Sequence, residues 1–300
     1  MKTMKVILAL LLTALLLLGL CACSFSNLPL IKAAVDLSAC KTFRVEPELT
    51  FDMQLTMPDF GLTMDLGAGA EGRVDVAGDP TRLSADLTLH LLDNDLPLLA
   101  YGESRPEGFE LWYSLDEGET WEHSSLKNEE ESEAEADTGS SAGVTDLMGF
   151  GKVLGDSFRD FVKAGTEEVK GSPATRYDAS FSPKALNEVP EAREAIFARL
   201  AEALEREPGE LEALLDLGSL DDIPLSLWLD QKSGRLVKVE TDLGPFLNSL
   251  FASGVMKALL AEQMDLADSE VEIRIGQARL SATLSEFNAL DPADFRRPTP

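Results

Sequence analysis

Between Leu49 and Met57 the chain alternates without a break. Leu49, Phe51, Met53, Leu55 and Met57 are apolar; Thr50, Asp52, Gln54 and Thr56 between them are polar. A period of two sends each set to its own face of an extended strand, so this segment predicts a strand with one buried and one wet face. The pattern returns at Leu83, Ala85, Leu87, Leu89 and Leu91, set against Ser84, Asp86, Thr88 and His90. Burial on one face is the mark of antiparallel sheets, because parallel strands are covered on both faces and read as continuous apolar runs.

The neighbouring segments extend this reading. Pro58-Asp59-Phe60-Gly61 reads as a turn, and Leu62, Met64 and Leu66 resume the alternation before Gly67 and Gly69 loosen it. A weaker strand is expected over Arg73 to Ala77, then strands over Leu98 to Glu103 and Phe109 to Leu115. Asp116-Glu117-Gly118 is a hairpin signal, with Trp121 on the returning strand. Short strands joined by turns, with no long crossover, form an antiparallel meander.

Further strands are expected over Val169 to Phe181, Ile223 to Leu229 and Leu236 to Thr241. A last hairpin is expected with arms Val271-Ile273-Ile275 and Leu280-Ala282-Leu284 around Gly276-Gln277, followed by a closing coil from Phe287. Helical spacing appears over Asn27 to Ala39, in part of Val144 to Lys163, over Glu191 to Glu207, in Glu210 to Leu217 and over Leu243 to Met264. Strands come in runs with helices between the runs, which gives an α+β class and not a series of βαβ units.

The N-terminus reads as an address. Met1-Lys2-Thr3-Met4-Lys5 precedes an apolar run from Val6 to Leu20, the basic and apolar regions of a secretory signal. The run ends in Leu20-Cys21-Ala22-Cys23-Ser24. This resembles the lipobox of bacterial lipoproteins, with an aliphatic residue three before the cysteine and a small residue just before it. The resemblance implies cleavage after Ala22 and a diacylglycerol thioether on Cys23. The uncharged stretch from Val6 to Cys23 is only about long enough to cross a bilayer, and an uncleaved membrane anchor is the alternative. The expected organisation is a signal over residues 1–22, a lipidated N-terminus with a short helix over 23–47, and one domain over 48–300.

Charge narrows the partners. The chain holds 26 Lys and Arg against 53 Asp and Glu, a net −27. Such a balance excludes nucleic acid, whose phosphates need neutralising. Loss of residues 1–22 would remove two more lysines and no acid, so lipid rather than bulk charge must hold the body at a membrane. Residues 127–143 include Glu129-Glu130-Glu131-Ser132-Glu133-Ala134-Glu135-Ala136-Asp137, which has no large apolar side chain, and read as a disordered acidic insert. Cys40 is the third and last thiol; a buried small hydrophobe is the expected role.

No catalytic constellation emerges, and an enzyme is not expected. The only histidines are His90, on the wet face of its strand, and His123, after the Trp121 hairpin. No Cys/His/Asp cluster surrounds either. There is no G-x-S-x-G elbow, no P-loop and no dinucleotide fingerprint. No cofactor and no metal are expected.

Three phrases carry a wider resemblance: Trp112-Tyr113-Ser114-Leu115-Asp116-Glu117-Gly118-Glu119-Thr120-Trp121, Ile223 to Asp230 followed by Gly234 to Val239, and Phe287-Asn288 before a proline-containing tail. Together with the lipobox they are similar to the LolA/LolB-like (LppX/LprG-like) lipoprotein superfamily. The resemblance implies a curved antiparallel sheet, an open half-barrel, with helices covering its concave face and an apolar cavity between the layers for acyl chains. It also implies a lipid-anchored place on the extracytoplasmic face of the cell membrane. The long acidic insert and acidic surface depart from that pattern and put docking on an anionic partner in doubt.

The candidate ligand pocket is the apolar set Phe51, Met53, Leu55, Met57, Met64, Leu87, Leu89, Phe251 and Met256. Methionine is flexible and suits variable apolar ligands. Plain core packing between sheet and helices is the competing reading of the same residues. The expected function is therefore binding or carriage of an apolar or acylated ligand, and the alternative is a non-catalytic envelope interaction module with a dry core. The sequence names no protein partner.

Overall fold

The computed structural model describes residues 28–78, 80–92, 94–105, 108–127, 158–187, 190, 193–194, 197–198, 201, 207–253 and 272–298. Chain order runs α1 (Leu28–Ser38), β1 (Thr42–Met57), β2 (Leu62–Ala77), β3 (Arg82–Leu91), β4 (Asn94–Arg105), β5 (Gly108–Ser114), β6 (Glu122–Lys127), β7 (Phe158–Val169) and β8 (Ser172–Phe181). It continues with α2 (Pro183–Asn187), α3 (Pro208–Leu214), β9 (Ile223–Asp230), β10 (Leu236–Asp242), α4 (Gly244–Ala252) and β11 (Glu272–Ser285).

All eleven strands join one antiparallel sheet in the order β6-β5-β4-β3-β2-β1-β11-β10-β9-β8-β7. The first and last strands pair at its middle, and β6 and β7 are its two open edges. The expected class holds: α+β, an open antiparallel sheet with helices against its apolar face. The sheet is bent rather than flat. Lys170, in the β7–β8 turn, pairs with Glu46 of β1. β8 and β1 are four strand spacings apart, about 19 Å in a flat sheet. Only coiling brings the hairpin tip back over β1.

Several elements differ from expectation for local reasons. β2 is one strand of 16 residues instead of two pieces, because Gly67, Gly69 and Gly72 stay in the ladder between β1 and β3. At Gly72, with φ +144, a Cβ would lie 2.3 Å from the Asp86 carbonyl oxygen, so glycine is what lets β2 and β3 close up there. The closing hairpin is instead the single strand β11. Its pairing with β1 slips by one residue between Asp52 and Met53, and Gly276 is the extra residue of a bulge, not a turn. Phe158 to Lys163 belong to β7 and are extended, whereas helix was expected through Lys163; residues 144–157 lie outside the described residues. The acidic insert beyond Lys127 also lies outside them. β1 starts at Thr42, inside the segment assigned to the lipidated N-terminus. The described residues between 190 and 201 are helical, and Phe197 and Ala201 are buried.

Two packed clusters flank the central seam on opposite faces. On the apolar face, Ala33 of α1 packs with Leu225, Leu227 and Leu229 of β9, Val239 of β10 and Leu284 of β11. Phe43, Tyr177, Phe181 and Phe287 close around them. Cys40, next to this cluster, is buried as expected; burial pushes its thiol up, and Sγ donates to the Asp36 carbonyl at 3.2 Å. On the other face the C-terminal coil folds back, and Phe295 is buried against Ala77, Tyr101 and Trp112. Thr42, 2% exposed, fastens this tail: its hydroxyl accepts from Leu290 N–H at 3.3 Å and donates to the Leu290 carbonyl at 3.4 Å.

Candidate functional site

Register decides which side chains share a face. Leu55 stands opposite Met64, Met53 opposite Leu66, Phe51 opposite Ala68 and Leu49 opposite Ala70. On the far side of β2, Ala70 stands opposite Leu89 and Gly72 opposite Leu87. Facing residues of paired strands point the same way. Phe51, Met53, Leu55, Met57, Met64, Leu87 and Leu89 therefore occupy one face of three adjacent strands. Across the seam the face continues through Ile275, Ala278 and Leu280 of β11.

Their burial is uneven. Leu55 and Met57 are each 7% exposed, whereas Phe51, Met53, Met64, Leu87 and Leu89 are only half-buried. Phe251, half-buried, lies on α4, which is held to β11 by an amide clasp: Asn248 Nδ2 donates to the Ile275 carbonyl at 3.0 Å and its Oδ1 accepts from Ile275 N–H at 2.8 Å. Met256 and Cys23 lie outside the described residues.

Sequence reasoning missed the middle of this face. Ala68, Ala70 and Gly72 of β2 stand between Leu49 and Phe51 on one side and Leu87, Leu89 and Leu91 on the other. Small side chains between two rows of large ones make a shallow apolar trough along β2. The signal was present in Gly67-Ala68-Gly69-Ala70, whose alanines take the apolar positions while its glycines take the polar ones.

Over β1–β3 and β8–β10 the opposite face is polar and internally paired. Trp228, 3% exposed, donates from Nε1 to Glu167 at 2.9 Å. Lys238 Nζ and the Arg176 guanidinium sit 4.6 and 5.4 Å from its ring centroid. The Trp228 hydrogen bond, with Arg176 beside it, holds the Glu167 carboxyl below the usual carboxylate range. Between this wall, β1–β3 and the β7–β8 tip runs an open groove of about 740 Å³. Its charges are largely spoken for: Lys170 by Glu46, Lys238 by Glu240 and Arg73 by Asp86.

The histidines lie apart, each against a carboxylate. His90 Nδ1 is 2.7 Å from Asp95, with Glu71 at 3.7 Å. His123 is 3.0 Å from Glu110 and stacks on Trp112 at 4.7 Å. Among the described residues no group of three or more His, Cys, Asp or Glu side chains is arranged to hold a metal.

No protein-family model and no curated protein matches this sequence. Among solved structures it is similar to the lipoprotein LppX of Mycobacterium tuberculosis, at 14% identity over 88% of this chain and 94% of that one, with a TM-score of 0.39. It is also similar to LprF of Mycobacterium bovis, at 10% identity over 91% and 96%, again with a TM-score of 0.39. A third structure, described as an outer membrane lipoprotein-sorting protein domain from Vibrio parahaemolyticus, matches at 10% identity over 84% and 89%, with a TM-score of 0.19.

Proposed function

We propose that this chain is a lipoprotein anchored through Cys23 on the extracytoplasmic face of the cell membrane, and that it holds an apolar or acylated ligand against the apolar face of β1–β3. The observation that carries this reading is the uneven burial of that face. Under α1 the apolar residues of β9–β11 are buried, whereas Phe51, Met53, Met64, Leu87 and Leu89 stay half-buried around small residues. Apolar surface left accessible on a folded body is where an apolar ligand gains most. The face offers shape and hydrophobicity, and binding or carriage is what it supplies.

The test is to purify the full chain from membranes, extract it with organic solvent and look for lipid by mass spectrometry. Binding of a fluorescent fatty acid is then compared in the parent and in Ala70→Leu, which fills the trough. Displacing two methylenes of ligand at ~0.8 kcal/mol each weakens binding about tenfold. A chain that carries no lipid and ignores the fatty acid overturns the proposal in favour of an interaction module with a dry core. Anchoring is tested separately: Cys23→Ala releases the chain from membranes, and retention of the variant refutes the acyl anchor.

A further inference from the structure

The strands of this sheet are staggered, and a staggered strand outruns its neighbour. Among the described residues three inner stretches do so. β11 runs over 272–278 beyond β10, whose ladder with it stops at Arg279. β4 runs over 94–98 beyond β5, which joins it at Leu99. β2 runs over 62–67 beyond β3, whose ladder with it starts at Ala68. Each stretch turns the backbone groups of alternate residues toward the missing neighbour.

Two of the three are closed. In β11 the Asn248 amide takes both backbone groups of Ile275, and Leu243 N–H donates to the Ala278 carbonyl. In β4 the bond from Ser104 N–H to the Thr81 carbonyl commits the even residues to β3, so Asp95 and Pro97 face outward, and a proline offers no N–H to a newcomer. The outer edges are guarded as well: β7 is irregular at two places against β8, and β6 is six residues long and carries Glu122, His123 and Lys127.

β2 has no such guard. Gly78 N–H donates to the Lys41 carbonyl and Leu92 N–H to the Gly67 carbonyl. Even residues of β2 therefore bond to β1, and odd ones face the side of β3. Past the end of β3 these are Thr63 and Asp65, both exposed, and no hydrogen bond among the described residues closes their four outward backbone groups. Side chains say what fits there. Leu62, 41% exposed, with Met64 and Leu66 prolongs the apolar row of Met53, Leu55 and Met57. Thr63 and Asp65 turn to the other face, beside Gln54 and Asp52, and Asp65 accepts from Gln54 Nε2 at 2.9 Å. The nearest cation across the strands is Arg274, opposite Gln54 on β11 and two strands in from the open side.

We propose that residues 62–66 of β2 take an added strand: an extended segment of a partner protein, about five residues long (~17 Å), lying in line with β3 and antiparallel to β2. Its apolar side chains meet Leu62, Met64 and Leu66, and its alternate residues, lysine or arginine, stand beside Thr63 and Asp65. Backbone bonds hold the segment and the alternation selects it. A second copy of this chain would bring another Asp65 and a net −27 to the same edge, so a separate basic segment is the better match. The inference requires neither acylation nor a bound lipid.

The test holds the full chain in phosphatidylcholine nanodiscs and titrates it with a fluorescein-labelled Ser-Val-Lys-Val-Lys-Val-Ser peptide, read by anisotropy and by backbone amide exchange. Binding is expected to slow exchange at Thr63 and Asp65 about tenfold and to leave Asp95 unchanged. Methylating the two lysine backbone nitrogens removes two of the four bonds and should weaken binding about thirtyfold. Glutamate in place of both lysines should weaken it about tenfold. Thr63→Pro, which removes an outward N–H and spares the ladder to β1, should weaken it as well. No binding, equal binding of the parent and methylated peptides, or unchanged exchange at Thr63 and Asp65 at saturation overturns the proposal. A chain that sediments as a dimer, and as a monomer once Thr63→Pro is made, assigns the edge to a second copy and overturns the peptide partner.

Discussion

Phe295→Ala is the most informative single perturbation of the fold. Phe295 is 6% exposed and packs on Ala77, Tyr101 and Trp112, the residues that bring β2, β4 and β5 under the C-terminal coil. A buried aromatic removes ~200 Å² from water, worth about 5 kcal/mol at ~25 cal/mol per Å² and an upper bound against a compact unfolded chain. Truncations of buried Phe to Ala cost about 3–5 kcal/mol. The tail can relax into the space left behind, which places this site near the lower end, about 3 kcal/mol. The start of the tail stays fastened, by Thr42 on Leu290 and by Asn288 N–H on the Thr42 carbonyl at 2.7 Å, whereas around Phe295 Arg82 reaches the Pro292 carbonyl at 3.4 Å and the Arg297 guanidinium lies 4.3 Å over the Trp112 ring. Urea denaturation gives the stability change. A red shift of tryptophan emission at low denaturant reports wetting of Trp112 once the tail lifts. A loss below about 1 kcal/mol with unchanged emission would refute the claim that the tail forms a second core.

Other outcomes follow from the same geometry. Gly72→Ala should cost about 2–5 kcal/mol, from the strained φ of +144 and the 2.3 Å approach to Asp86, and thermal melting checks it. His90 titrates above its ordinary 6.5, held up first by its hydrogen bond to Asp95 and then by the nearby carboxylates. Its contribution to stability is therefore full below 6.5 and lost as pH rises through the folded value; an NMR titration in which Asp95→Asn leaves the midpoint unmoved would contradict this. Asp116 is held at about 2 by bonds from the Ser114 hydroxyl and from Thr120. Its contribution is full above 3.8 and lost as pH falls through about 2, so its carboxyl signal should shift only in strong acid, and Ser114→Ala should raise the midpoint. Arg297→Ala should lose about 0.5–1 kcal/mol, the worth of an exposed cation–π contact.

The sheet was legible wherever one face is wet. β1 and β3 alternate cleanly, and the structure returns them with both faces as read. Gly276-Gln277 misled because glycine serves a turn and a bulge alike; only the opposing strand tells them apart, and β1 lies some two hundred residues away. β7 misled because Phe158, Phe161 and Val162 match helical spacing; two irregularities in its pairing with β8 break the period of two there. The apolar face of β1–β3 was legible in its large members and not in its small ones. Phe51, Met53 and Met64 announce themselves by size, while Ala68 and Ala70 matter only once register sets them between two apolar rows. The tail core was invisible, because Leu290 and Phe295 sit in a coil with no period of its own and their partners are far away in sequence.

Pairing the outermost strands of the chain at the middle of the sheet has a consequence for how the molecule is made. β1–β6 and β7–β11 are each an unbroken meander, and among the described residues the one ladder between them joins β1 to β11. During synthesis the first half must wait, with one long rim of β1 unsatisfied, until the last strand arrives. The same topology lets the chain be cut between Lys127 and Phe158 into two fragments, each keeping every ladder of its own meander and parting from the other at β1–β11. Co-expressed halves should zip together along that one ladder, and a protein built so is a natural candidate for split-reporter assembly.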